Sequence, residues 1–145
     1  MPITRIGVVG AGAWGTALAK HLAEKGLLVR LWAYERDVVD SIHASRENRL
    51  FLPGVVLPRS LVATNVLGEA VQDRDAILFA VPSHVARSVL REMAPLLSSG
   101  LPIISATKGV EEDSLQLMSQ IMDDVLPRHM HDRILVLSGP SFAVE

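Results

Sequence analysis

At 145 residues the chain is long enough for one domain with a buried core. Hydrophobic residues make up 49% and charged residues 21%, which excludes a disordered chain; the net charge of −2 gives none of the basic stripe that nucleic-acid binding needs. The lack of cysteine excludes disulfides and thiolate–metal sites, and no apolar run approaches the ~20 residues that span a bilayer. The opening Met1-Pro2-Ile3-Thr4-Arg5 lacks the charged, apolar, small-residue order of a signal peptide, so a cytoplasmic protein is expected.

Residues 5–9 form a short apolar run that leads directly into glycines, which reads as a strand. Residues 13–25 carry Leu18, Ala19 and Leu22 at helical spacing, with Gly26 where a helix C-terminal glycine belongs. Residues 28–32 predict a second strand. Residues 37–45 predict a short helix with Asp37 as its N-cap or first-turn acid. A third strand is expected at 61–64 and a buried fourth at 76–81, stopped by Pro82. Val85, Val89, Met93 and Leu96 predict a helix over 84–97. A fifth strand at 103–106, a helix over 114–126 and a sixth strand at 134–137 complete the chain.

Strands separated by helices, with apolar runs suited to burial on both faces, predict an α/β fold with a parallel sheet covered on both sides. Gly10-Ala11-Gly12-Ala13-Trp14-Gly15 is a G-x-G-x-x-G between the first strand and the first helix. In that setting it is the fingerprint of a Rossmann-type, doubly wound dinucleotide fold with strand order 3-2-1-4-5-6 over residues 1–145. Gly10 permits the tight turn, Gly12 lets the backbone approach a pyrophosphate, and Gly15 lets the helix pack on the strand. The pyrophosphate would sit at the helix N-terminus, where free N–H groups and the dipole favour anions.

The second strand does not end in the acid that selects the ribose hydroxyl of NAD. Its continuation is Tyr34-Glu35-Arg36-Asp37, where Arg36 can hold a 2′-phosphate, Tyr34 can stack near adenine, and Glu35 or Asp37 can still reach a ribose or lie in solvent. NADP or NAD is therefore the expected cofactor. Ligands bind outside the carboxyl ends of such strands, which directs attention to the later loops. After the fourth strand, Ser83 reads as a helix N-cap and His84 as a first-turn surface residue rather than an acid–base group. After the fifth, Lys108 followed by Gly109 places an ammonium where it meets a phosphate or a carbonyl oxygen. After the sixth comes Ser138-Gly139-Pro140-Ser141-Phe142-Ala143, a substrate-side loop or a simple turn.

Together with Asn48-Arg49-Leu50-Phe51-Leu52-Pro53-Gly54 and Val81-Pro82-Ser83-His84, these stretches resemble the N-terminal domain of the bacterial NAD(P)-dependent glycerol-3-phosphate dehydrogenases, in order and over the whole chain. The resemblance implies reversible hydride transfer between dihydroxyacetone phosphate and sn-glycerol 3-phosphate, supplying glycerophospholipid precursors. It implies cofactor contacts at Ala13, Trp14, Tyr34, Lys108 and Ala143, with Arg36 beside them, and substrate contacts at Lys108, Gly139 and Ser141. Some members have serine where this chain has Ala13, which leaves the backbone N–H available. The general acid–base lysine of the family lies in a C-terminal helical domain, expected beyond Glu145. The resemblance thus implies that this chain binds cofactor without turnover and that the complete protein is a homodimer. Competing readings are a nucleotide-sensing regulatory module, or another two-domain reductase of 3-hydroxyacyl-CoA or 6-phosphogluconate type. Lys108-Gly109 and the 48–54 stretch argue against the reductases, and a sensing module has no need for Lys108 or the Ser138–Ala143 loop.

Overall fold

Burial from both sides is what makes the strand segments read as nearly unbroken apolar runs. The computed structural model describes residues 2–138; the expectations for Gly139, Ser141, Phe142 and Ala143 lie outside the described residues. In chain order the elements are β1 (Arg5–Val9), α1 (Ala13–Glu24), β2 (Leu28–Trp32), α2 (Arg36–Ser45), β3 (Leu61–Thr64), α3 (Leu67–Val71), β4 (Ala76–Phe79), α4 (Ser83–Met93), β5 (Ile103–Ser105), α5 (Met118–Val125) and β6 (Ile134–Val136). All neighbouring strands pair in parallel, in the expected order β3-β2-β1-β4-β5-β6. The order reverses between β1 and β4, which opens a crevice at their carboxyl ends.

Side chains alternate across the sheet with the strand period of two. Ile6 and Val8 of β1, with Ala76 and Leu78 of β4, pack beneath α1 and α2 against Ala19, Ala23, Val38 and Ile42. Val9, Ile77 and Phe79 face the other way and pack on Ala70, Ala86, Leu90, Met93, Ile121 and Met122 from α3, α4 and α5. Gly7 also faces that side. A Cβ there would lie 2.1 Å from the Ala70 carbonyl oxygen, so the short α3 rests directly on the β1 backbone.

Several boundaries differ from the expectations. The helix α2 begins at Arg36 with Glu35 as N-cap, so Asp37 is a first-turn acid and not the cap. The strand β4 ends at Phe79 rather than 81. Ser83 is the first residue of α4, behind Pro82, and makes no capping bond. That helix stops at Met93 and tightens to one 3-10 turn at Ala94–Leu96, because Pro95 lacks the N–H an α-helix interior needs. The expected helix over 114–126 starts only at Met118. Leu115 fits the apolar spacing, yet it is exposed and left-handed at φ 59°, inside a hairpin closed by the Val110–Leu117 bridge. The helix begins where the Gln120 side chain accepts the Leu117 N–H at 2.8 Å. The periodicity of the chain did not reveal α3 or the 3-10 segment Arg128–Arg133.

Asp75 ties the start of β1 to the entry of β4. Its carboxylate accepts the N–H groups of Thr4 and Arg5 at 2.9 and 2.8 Å and the Thr4 hydroxyl at 3.1 Å. The backbone bonds of Thr4 and then Arg5 lower its pKa from 3.8 to about 2, against the smaller opposing effect of desolvation. A lowered folded pKa adds stability above the unfolded value, which is lost as pH falls through the folded one. Denaturant titrations should therefore show the native chain more stable than Asp75→Asn at neutral pH. The gap should close between pH 3.8 and about 2. A gap that persists unchanged at the acid end would show that the carboxylate's charge is not what these bonds exploit.

Candidate functional site

The glycine turn occupies the switch point. Gly10 donates its N–H to the Trp32 carbonyl at the end of β2, at 3.1 Å, and has φ 117°. A side chain would be strained in that conformation, and its Cβ would meet the Ala80 carbonyl oxygen at 2.6 Å. Gly12 is the N-cap of α1, and a Cβ built on it meets nothing within 4 Å. Gly15 faces inward: its Cβ would lie 1.9 Å from the Gly10 carbonyl oxygen. The three glycines therefore serve three purposes: conformation at Gly10, an open approach at Gly12, and contact between helix and turn at Gly15. The first-turn N–H groups of α1 have no acceptor within the helix, which leaves them free to donate to an anion.

Ala13 and Trp14 are the first two residues of α1, and both are exposed. The Trp14 indole N–H donates to the Ala106 carbonyl at 3.1 Å, which holds the ring against the end of β5. The Lys108 ammonium sits over that ring, 4.6 Å from its centroid. Two segments 94 positions apart, the glycine turn and the loop after β5, thus meet at the crevice, with one cation aimed between them.

The loop bearing Lys108 is braced from α4. Arg87 grips the Glu111 carboxylate through Nε at 2.9 Å and Nη2 at 3.1 Å, and also reaches Gln116 at 2.5 Å and Asp124 at 3.5 Å. Arg87, with help from the Ser114 hydroxyl, holds the Glu111 carboxyl below its ordinary range. The bond to Glu111 raises the Arg87 guanidinium in turn. The fork-on-fork geometry explains why residues 110–117 form a hairpin instead of the first turn of α5.

Tyr34 and Arg36 lie just past the end of β2, next to the glycine turn. Tyr34 is 81% exposed and meets Trp32 edge-on, with ring centroids 6.4 Å apart. Arg36 opens α2 and is exposed, with no ion pair among the described residues. The structure brings Trp14 and Lys108 into contact; it does not bring Tyr34 or Arg36 to them. His84 is an exposed residue of the first turn of α4, as expected. Among the described residues no cluster of side chains could hold a metal ion, and no helix is long and apolar enough to cross a membrane.

Asn48 had no role in the sequence beyond its place in a motif. It is fully buried, with its amide nitrogen 2.9 Å from both the Ala11 carbonyl and the Thr16 hydroxyl. Both partners lie more than thirty positions away in the chain, so no local signal in the sequence shows this role.

The family described as the NAD-dependent glycerol-3-phosphate dehydrogenase N-terminus matches residues 5–145. A protein of Geobacter metallireducens named glycerol-3-phosphate dehydrogenase [NAD(P)+] is 51% identical over 141 residues, which is 97% of this chain and 42% of that protein. The crystal structure of the Coxiella burnetii glycerol-3-phosphate dehydrogenase superposes with a TM-score of 0.84 at 36% identity, covering 97% of this chain and 42% of that one. The corresponding Saccharomyces cerevisiae structure gives 0.75 at 30% identity, covering 87% and 40%. The chain thus spans about two fifths of the length of the relatives it matches.

Proposed function

The chain belongs to the family of the NAD-dependent glycerol-3-phosphate dehydrogenase N-terminus, and on that premise we propose that it is the NAD(P)-binding part of an enzyme interconverting dihydroxyacetone phosphate and sn-glycerol 3-phosphate. The observation that carries this reading is the junction at the switch point. The glycine turn, the open N-terminus of α1 and the Lys108 ammonium converge on one crevice. The residues fit a dinucleotide: a pyrophosphate needs backbone donors without a Cβ in the way, and Gly12 offers open space beside the helix N-terminus. The family name and the names of the relatives support the cofactor class.

When bound, the nicotinamide supplies or accepts the hydride. The chain's own residues bind and orient. The α1 N-terminus neutralises the pyrophosphate, and Trp14 walls the crevice. Tyr34 lies on the adenosine side, with Arg36 ready for a 2′-phosphate. Lys108 stabilises negative charge growing on the substrate carbonyl oxygen as it becomes an alkoxide. Gly139 and Ser141 are assigned to the substrate side and Ala143 to the cofactor, on the family resemblance. The proton donor, a helical substrate domain and a homodimer interface are assigned to the remainder of the complete protein, which we place in the cytoplasm.

The test is titration of this chain with NADPH and NADH, following Trp14 and Trp32 fluorescence and calorimetry. Saturable one-site binding is expected. Gly12→Ala should weaken it about 30-fold or more, roughly 2 kcal/mol, while leaving the melting temperature nearly unchanged. No binding to demonstrably folded chain would sink the claim that this chain alone forms the site; repeating the titration on the complete protein then shows whether the second domain completes it.

A further inference from the structure

Asn48 is 0% exposed, although it opens a stretch whose Leu50 and Phe51 lie at the surface. Its side chain uses every group it has that the turn can engage. Nδ2 donates to the Ala11 carbonyl and to the Thr16 hydroxyl, both at 2.9 Å. Oδ1 accepts the Phe51 N–H at 3.1 Å. The orientation of the amide is fixed by chemistry, since a carbonyl oxygen demands the NH2 end and a backbone N–H demands the oxygen end. Its own carbonyl accepts the Leu52 N–H at 2.9 Å, closing the stretch into a tight turn.

The Ala11 carbonyl belongs to the peptide that joins Ala11 to Gly12. A trans peptide is planar, with its C=O and N–H pointing in opposite directions. Holding the Ala11 oxygen toward the buried Asn48 therefore turns the Gly12 N–H away from Asn48. The Thr16 bond fixes the same amide to the first turn of α1, so turn and helix are referenced to one point. No other described side chain donates a hydrogen bond to the Ala11 carbonyl.

We propose that Asn48 is a positioning residue for the dinucleotide pyrophosphate: it sets the Ala11–Gly12 peptide so that the Gly12 N–H faces the phosphates. This rests on the dinucleotide reading above. The requirement explains the residue type. Aspartate matches the shape but has no donor; glutamine is one methylene too long for the same three contacts; serine is too short to reach both Ala11 and Thr16.

Asn48→Asp keeps the acceptor for Phe51 and removes both donor bonds. In the folded variant the Kd for NADPH should rise about tenfold or more, the scale of a lost positioning hydrogen bond. Combined with Gly12→Ala, the loss should fall well short of the product of the single losses, because both changes act through one peptide. A purely structural role predicts a lowered melting temperature, a Kd within twofold of the parent, and multiplying effects; that result overturns the proposal. If Asn48→Asp does not fold, nitrogen-15 NMR on the unaltered chain decides. The Asn48 side-chain amide should exchange slowly with and without saturating NADPH, and the Gly12 amide should shift on saturation. Free solvent exchange of the Asn48 amide, or an unmoved Gly12 signal, overturns the proposal. If the unaltered folded chain binds no NADPH, the dinucleotide reading fails and takes this one with it. Binding that is insensitive to Asn48 overturns this one alone.

Discussion

Gly15→Ala should cost about 3 kcal/mol or more and lower the melting temperature by roughly 10 °C. The added Cβ would lie 1.9 Å from the Gly10 carbonyl oxygen and 2.9 Å from its carbon. Real Cβ atoms do not come within 3.0 Å of such neighbours, so α1 must retreat by about 1 Å. It cannot retreat freely, because Ala19 and Ala23 on the same helix are buried against β1 and β2. Moving the helix opens that packing and pulls the Thr16 hydroxyl from Asn48. The contrast with Gly12→Ala is the informative part. Both lie in one motif, yet the Gly12 Cβ direction is open, so that variant should melt within a few degrees of the parent while losing ligand. Thermal unfolding of the two variants by circular dichroism checks both halves. A Gly15→Ala chain that melts like the parent would show that the helix and turn are not in hard contact.

The separation of roles within the motif is legible from sequence, because this glycine spacing between a strand and a helix fixes which glycine turns the chain, which faces the ligand and which meets the helix. The strands are legible too, since burial on both faces leaves little room for polar residues in runs such as Ala76–Phe79. What escapes depends on contacts between distant parts of the chain. At five residues, α3 is too short to show a period, and its support is the bare backbone at Gly7. The late start of α5 follows from the Arg87–Glu111 grip across 24 positions, which outweighs the helical spacing of Leu115. The role of Asn48 follows from a bond across 37 positions. The place of Lys108 just past a strand is readable in the chain, but its seat on Trp14 lies outside what local pattern can show.

That seat leads to the largest expected effect on activity. In the complete protein, Lys108→Met should lower kcat/KM for dihydroxyacetone phosphate by about a thousandfold, the scale seen when a donor aimed at a developing oxyanion is removed. Lys108 is half-buried, and its ammonium lies on the face of the Trp14 ring, 4.6 Å from its centroid. Such a contact contributes only about 0.5–1 kcal/mol, so its main effect is to limit where the charge can go. Trp14 is itself fixed by its bond to Ala106, and the loop is fixed through Arg87 and Glu111. The charge is thus held in place without a ligand, and a charge fixed in advance is what the proposed role in stabilising a transition state requires. Methionine keeps the length and the apolar contact with Trp14, so NADPH affinity should change less than about fivefold. Lys108→Arg keeps a cation and can stack on the same ring, but spreads its charge over a wider plane. It should recover part of the lost rate and no more. Steady-state kinetics on the three proteins, with NADPH binding measured separately, distinguish the possibilities. A Lys108→Met enzyme that keeps kcat/KM within threefold, or loses it only through NADPH affinity, would make Lys108 a cofactor clamp and leave the oxyanion to residues of the second domain.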